Sequence, residues 1–232
     1  MKSLYLILNL ATISVPLIRS FEPRIAFFRK WKALFSAIAV TAAFFLIWDA
    51  IFTAMGVWGF NDRYLLGIRL FDLPVGEWLF FITVPYACLF IYECLLYFIP
   101  KDPLANVYRI LGFLFMGLGI GAAVVFYDQW YTMTTGLVLA GLLAVNLFWL
   151  KSKWLGRFFL AYAVCLIPFF MVNGVLTGTG IEEQVVWYND GENLGLRLWT
   201  IPVEDAFYGM ALILMNVTLY EHWLGRDNAE NA

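Results

Sequence analysis

Residues 65–77 read LLGIRLFDLPVGE and residues 193–205 read NLGLRLWTIPVED, the same pattern written twice at a spacing of 128. Each copy runs Leu-Gly-x-Arg-Leu, then proline, then acid, and each stands directly before an apolar run. The shift holds without insertion beyond the motif. Asn61-Asp62 falls on Asn189-Asp190, Pro74-Val75-Gly76-Glu77 on Pro202-Val203-Glu204-Asp205, and Tyr92-Glu93 on Tyr220-Glu221. The chain is therefore read as an internal duplication, with acids set where a membrane-length apolar segment begins. Carboxylates do not enter hydrocarbon cheaply, so acids at that place point to function.

The rest of the composition agrees with a membrane setting. Of 232 residues, 62% are hydrophobic, 19% aromatic and only 14% charged, and mean hydropathy is +0.78. A soluble domain has about a quarter of its residues charged. The net charge of -2 and the lack of a basic, aromatic-interleaved face exclude nucleic acid as a partner. Cys88, Cys94 and Cys165 all lie in apolar runs and read as packing residues rather than as disulfides or zinc ligands. The single histidine, His222, makes no metal site by itself.

Windows long enough to cross a bilayer, about 17–25 residues or slightly fewer, fall at seven places: Ser3 to Ile18, Lys32 to Trp48, Trp78 to Phe98, Val107 to Phe126, Thr132 to Leu150, Phe158 to Leu176 and Ala206 to His222. The first is kept as a span because it lacks a small-x-small cleavage site and is followed by Pro16 and Arg19. Arg19, Arg24, Arg29, Lys30, Lys32, Lys101, Arg109, Lys151, Lys153, Arg157 and Arg226 lie on one side. By the positive-inside rule that side is cytoplasmic. The N-terminus is then outside, the C-terminus cytoplasmic, and the two long loops, 49–76 and 177–204, face outward with most of the acids.

The same shift lays span one on span five, two on six and three on seven, leaving span four as a connector. The expected fold is an all-α polytopic bundle of seven transmembrane helices: a first three-span repeat in residues 1–100, a linker span in 101–128 and a second repeat in 129–232. Two parallel repeats related by an axis along the membrane normal occur among transporters, so the layout alone does not decide function. It does predict that both acidic motifs converge between the halves.

Pro74 and Pro202 suit the first turn of a helix, and acids behind them favour the positive helix end. A carboxyl at a low-dielectric rim can also serve as general acid, with an ionised partner as base. Glu204 and Asp205 are the acid–base candidates, with Glu77 as their counterpart. Trp78, Phe80, Phe207 and Tyr208 are candidates to steady a cation through their ring faces. Arg69 and Arg197, each five residues before the proline, are placed to hold the acidic loops. Asp49 at the end of span two and Asn173 in span six occupy related places once a gap of four residues is allowed. Gly117, Gly119 and Gly121 read as small-residue helix contacts. No dinucleotide fingerprint follows a strand.

The doubled Pro-x-Glu-Glu/Asp pattern, with seven spans and no cofactor motif, resembles the membrane-integral lycopene cyclases, here as a tandem fusion. Pro202-Val203-Glu204-Asp205 matches the family motif, whereas Pro74-Val75-Gly76-Glu77 departs from it, with Gly76 where the first acid is expected. The resemblance implies a lycopene β-cyclase: acid–base closure of the polyene ends to β-ionone rings, giving γ-carotene and then β-carotene, without redox change, metal or cofactor. It implies lycopene and membrane lipid as partners, with other carotenoid enzymes or further copies of the chain as companions, in a bacterial inner membrane. Cyclisation to ε or γ rings, or of C50 carotenoids, and a small-solute transporter are the alternatives. A retinal receptor would want a lysine in Ala206 to His222, which has none.

Overall fold

In the computed structural model, which describes residues 2–225, every predicted apolar window is a helix. These are α1 (Leu4–Arg19), α2 (Trp31–Met55), α3 (Val75–Phe98), α4 (Tyr108–Val125), α5 (Trp130–Ala144), α6 (Leu155–Leu176) and α7 (Val203–Leu224). A π-turn, Val145–Trp149, prolongs α5. Five helical segments, beginning at Phe27, Val75, Tyr108, Trp130 and Leu155, are long and apolar enough to cross a membrane. Of the other two, α1 has 16 residues and α7 carries acids near both ends. Large apolar side chains such as Ile18, Ile47, Ile110, Val124 and Met171 are exposed around the bundle, far more than a soluble monomer leaves in contact with water. Their surroundings are lipid, and the protein is an integral membrane protein. Arg226 lies outside the described residues.

The structure corrects the expected fold at three points. First, α2 runs past Trp48 to Met55 and stops where Gly56 turns into the left-handed region at φ 73°, so Asp49 lies inside the helix rather than at its end. Second, Pro74 and Pro202 are extended, at ψ 147° and 140°, and precede the helices instead of occupying their first positions. Glu77 and Asp205 are then the third residues of α3 and α7. Third, the bundle carries strands that the all-α reading does not include, because the two long loops form three short antiparallel pairs.

Two of these pairs are hairpins standing over the helix starts: β2 (Arg69–Leu70) with β3 (Leu73–Pro74), and β5 (Arg197–Leu198) with β6 (Ile201–Pro202). At the tip of the first, Phe71 and Asp72 both take positive φ, as a primed two-residue turn requires. The third pair joins the loops to each other. β1 (Trp58–Phe60) pairs with β4 (Val186–Tyr188), with Gly59 opposite Trp187. These two residues are also equivalent under the sequence shift of 128, so the pairing has local twofold character. Only glycine fits at 59, since a Cβ would lie 2.4 Å from the Trp187 ring. Arg63 binds Glu182 and Glu183 across the same junction.

Below the ribbon, α1 packs on α3, α5 on α7, α2 on α7 and α3 on α6. Polar latches hold several contacts: Asn9 on α1 donates to the Gly76 carbonyl at 3.0 Å and accepts from Thr83 at 2.6 Å. At the opposite end of the bundle, Tyr220 on α7 donates to Glu93 on α3 at 2.7 Å, and Lys30 pairs with the same carboxyl. The α4–α5 contact depends on two glycines. A Cβ at Gly119 would lie 2.6 Å from the Gly136 carbonyl oxygen, and one at Gly136 would lie 2.3 Å from that of Gly119. Gly117 and Gly121 meet nothing within 4 Å, so of the three glycines read as helix contacts only Gly119 is one. The Gly136→Leu variant is expected to lose about 1–3 kcal/mol, read as a lower melting temperature in detergent, while Gly117→Leu leaves the transition unchanged.

Candidate active site

Helical spacing decides which groups meet. Glu77 begins a face of α3 that continues through Phe80, Val84, Ala87, Cys88 and Ile91. Asp205 begins a face of α7 that continues through Tyr208, Gly209, Leu212 and Ile213. Both faces look into one cavity of about 390 Å3, completed by α1, α2, α5, α6 and the β1–β4 ribbon. That volume lies within the usual range for a small-molecule site, about 300–1,000 Å3. Its wall is apolar and aromatic except at the end beneath the ribbon, where Asp49, Glu77, Asn173 and Asp205 are gathered.

The carboxyls differ in their partners. Asp205 accepts from Tyr131 at 2.5 Å, Asn173 at 2.7 Å and Tyr188 at 2.9 Å. Three donors suit an ionised, acceptor-only carboxylate. Tyr188 lies in β4, outside the helices; burial, and then the Asp205 carboxylate, push its phenol upward, so it stays a donor. Glu77 receives one donor, Tyr5 of α1. Asp49 receives the indole N–H of Trp58 at 2.5 Å. Glu77 lies within electrostatic reach of both Asp49 and Asp205, and Tyr208 within reach of all three. Tyr208 also makes edge contacts with Phe45 at 5.1 Å and Trp58 at 6.2 Å, so an aromatic wall stands beside the acids.

Glu204 is not part of this wall. Its Oε1 accepts from Thr132 at 2.7 Å and from the Leu194 amide at 2.8 Å, which ties α7 to α5 and to the preceding loop. The preceding repeat position explains the departure at Gly76. A Cβ there would lie 2.7 Å from the Tyr5 ring, whose hydroxyl serves Glu77. The residue equivalent to Glu204 is thus absent where Tyr5 needs the room, and the cavity loses no carboxyl by it.

The remaining expected residues divide. Phe80 and Tyr208, three residues beyond each cavity acid, line the chamber. Trp78 and Phe207 do not: one and two residues from the acid, at about 100° per residue, they are carried around the helix. Trp78 donates to the Leu70 carbonyl, and Phe207 packs on Phe115 of α4. Arg69 and Arg197 touch none of the cavity acids. Each bridges a loop carboxylate and a hairpin carbonyl: Asp62 and Asp72 for Arg69, Asp190 and Thr200 for Arg197. They brace the hairpins that end in Pro74 and Pro202. Tyr5, Trp58, Tyr131, Thr132 and Tyr188 were not distinguished in the sequence. Their equivalents at the shift of 128 are different residue types, so the repeat does not mark them.

Among the described residues, no three His, Cys, Asp or Glu side chains are grouped to hold a metal ion. Cys88, Cys94 and Cys165 are free thiols, two of them in the cavity wall.

The cavity therefore combines acids of unequal hydrogen bonding with an apolar, aromatic chamber, which suits proton transfer to and from a hydrocarbon. Comparison with known proteins gives the same direction. Neither the curated proteins nor the solved structures compared gave a match. The family model described as lycopene cyclase matches residues 2–95 and again residues 128–223, so most of the chain is covered in two tandem regions. The chain belongs to the lycopene cyclase family, enzymes of carotenoid cyclisation.

Proposed function

We propose that the protein is a lycopene β-cyclase whose acid–base pair is Glu77 and Asp205. The observation that carries this reading is the convergence of the two acids, each the third residue of its helix, on one apolar chamber with unequal donor sets. Glu77 hands its proton to the terminal alkene of the polyene. The internal double bond attacks the resulting cation, closing a six-membered ring. Asp205, held by three donors, removes a proton from the carbon next to the new cation. One proton enters and one leaves, so the product is an isomer and no electron acceptor is needed. The proton taken up by Asp205 returns to Glu77 before the next turnover, passed within the acidic cluster that includes Asp49, and Tyr208, Trp58 and Phe80 present ring faces to the cation. Removal of a different neighbouring proton would give ε or γ rings from the same pair, and a C50 carotenoid would need only a different chain end. Family membership and the apolar wall do not favour a solute transporter.

The proposed layout is two parallel three-helix repeats, residues 1–100 and 129–232, joined by α4 in 101–128. Supporting it are the exchange of packing partners under the shift, the matching hairpins and the local twofold of the ribbon. We place the ribbon on the outer side of a bacterial inner membrane and the C-terminus in the cytoplasm, on the distribution of lysine and arginine. Phe71 and Trp199, exposed at the two hairpin tips, would then sit in the lipid headgroup layer.

Expression in lycopene-producing cells is expected to convert lycopene to β-carotene, read by pigment chromatography. Unchanged lycopene with correctly inserted protein would overturn the assignment. Asp205→Asn and Glu77→Gln should each lower ring closure by about 100-fold or more, while Glu204→Gln retains most activity. A Glu204→Gln variant as inactive as Asp205→Asn would move the chemistry to Glu204. Gly76→Glu, which makes the first motif match the second, should impair rather than improve the enzyme. It displaces Tyr5 and lowers stability by about 1–3 kcal/mol, measurable as a fall in melting temperature.

A further inference from the structure

Resting on that reading of the cavity, we infer that lycopene enters sideways from the lipid through a single mouth between α1 and α6, so that one chain end is processed per visit. The exposed residues of the cavity wall are Ala11, Pro168 and Met171, the last 69% exposed. All three belong to α1 and α6, and both helices carry a proline there, Pro16 and Pro168, that also lines the chamber. The β1–β4 ribbon covers the acidic end, with Trp58 and Val186 buried beneath it.

A duplicated fold would be expected to carry a second mouth, between α5 and α2. That place is filled. Leu139 and Ala140, which the shift of 128 equates with Ala11 and Thr12, are buried, Leu139 completely. Beside them Phe45, Trp48, Phe52, Trp58, Tyr131 and Tyr208 form a continuous aromatic plug. Its ring centroids are 5.0 Å apart for Trp48–Tyr208, Phe52–Trp58 and Trp58–Tyr131. With the four-residue offset that aligns Asp49 with Asn173, Trp48 stands where α6 has Val172, and Phe52 where it has Leu176. Bulk on one side and small or flexible residues on the other make the duplicated chamber one-doored.

A chamber of about 390 Å3 takes one end of a long polyene and leaves the rest in the bilayer. The second end can reach the acids only after the molecule has withdrawn and returned reversed. The monocyclic product is therefore released between the two ring closures.

Two measurements test this. In lycopene-containing vesicles, the Ala11→Trp/Met171→Trp double variant is expected to lose ring closure at least tenfold. Ile47→Trp, on the exposed face of α2 and outside the cavity wall, should match the parent enzyme. Equal melting temperatures would show that both are folded. Full activity of a folded double variant, or an equal loss with Ile47→Trp, would overturn the single mouth. The second measurement needs no variant. Labelled lycopene is given briefly and then chased with a large excess of unlabelled lycopene. Label is expected to remain in the free monocyclic product and to be withheld from the bicyclic one. Label passing undiluted into the bicyclic product would show that both ends close in one visit, and would overturn the inference. A parent enzyme that forms no ring would instead overturn the assigned activity, leaving the mouth as a feature of another site.

Discussion

A carboxyl group held inside an apolar bundle must find its hydrogen-bond donors in the protein, because lipid supplies none. Asp205 alone engages α5, α6 and β4 through Tyr131, Asn173 and Tyr188. Glu77 engages α1 through Tyr5, and Asp49 engages the ribbon through Trp58. Satisfying the acids thus draws together helices that are far apart in sequence, and it explains why the loops fold into a ribbon over the acidic end. The hairpins complete the arrangement. Arg69 and Arg197 hold them by their own carbonyls, which sets Pro74 and Pro202, and so the points at which α3 and α7 begin.

Duplication supplies the pair of acids, and divergence gives them different partners. The same helix position carries glutamate in one half and aspartate in the other, but the surrounding donors differ in number and kind. Two identical halves would have offered the same environment twice. The same divergence fills one flank with aromatic rings and leaves the other lined by Ala11, Thr12 and Met171. Glu204 and Gly76 show the cost of close packing at this point. Where Thr132 and a loop amide receive the side chain, glutamate is accommodated; where the Tyr5 ring presses on the backbone, only glycine fits.

Much of this was legible in the residues. The seven apolar windows became seven helices because each is long, apolar and closed by charge, proline or glycine. The register of the repeat already set Glu77 on Asp205 and Gly76 on Glu204, so the cavity pair could have been read from the alignment more sharply than from the acidic doublet. The doublet drew attention to Glu204 because adjacent acids look alike in sequence, although on a helix adjacent residues point about 100° apart. The same geometry carries Trp78 and Phe207 away from the chamber wall. The tyrosines that serve the acids were not legible, since an isolated tyrosine in an apolar helix or a loop beside one reads as an interfacial residue until its neighbour is known.

The sequence by itself determined the membrane character, the helices and the duplicated motif, which follow from composition, periodicity and a spacing of 128, and that motif carries the resemblance to a cyclase. Only the tertiary structure decided which carboxyls share a chamber, which donors each one receives and on which side the chamber opens. Those are matters of distance and direction between helices remote in the chain. A single buried ring, Tyr5 over Gly76 or Trp48 beside Tyr208, settles them by excluding everything else from the same space.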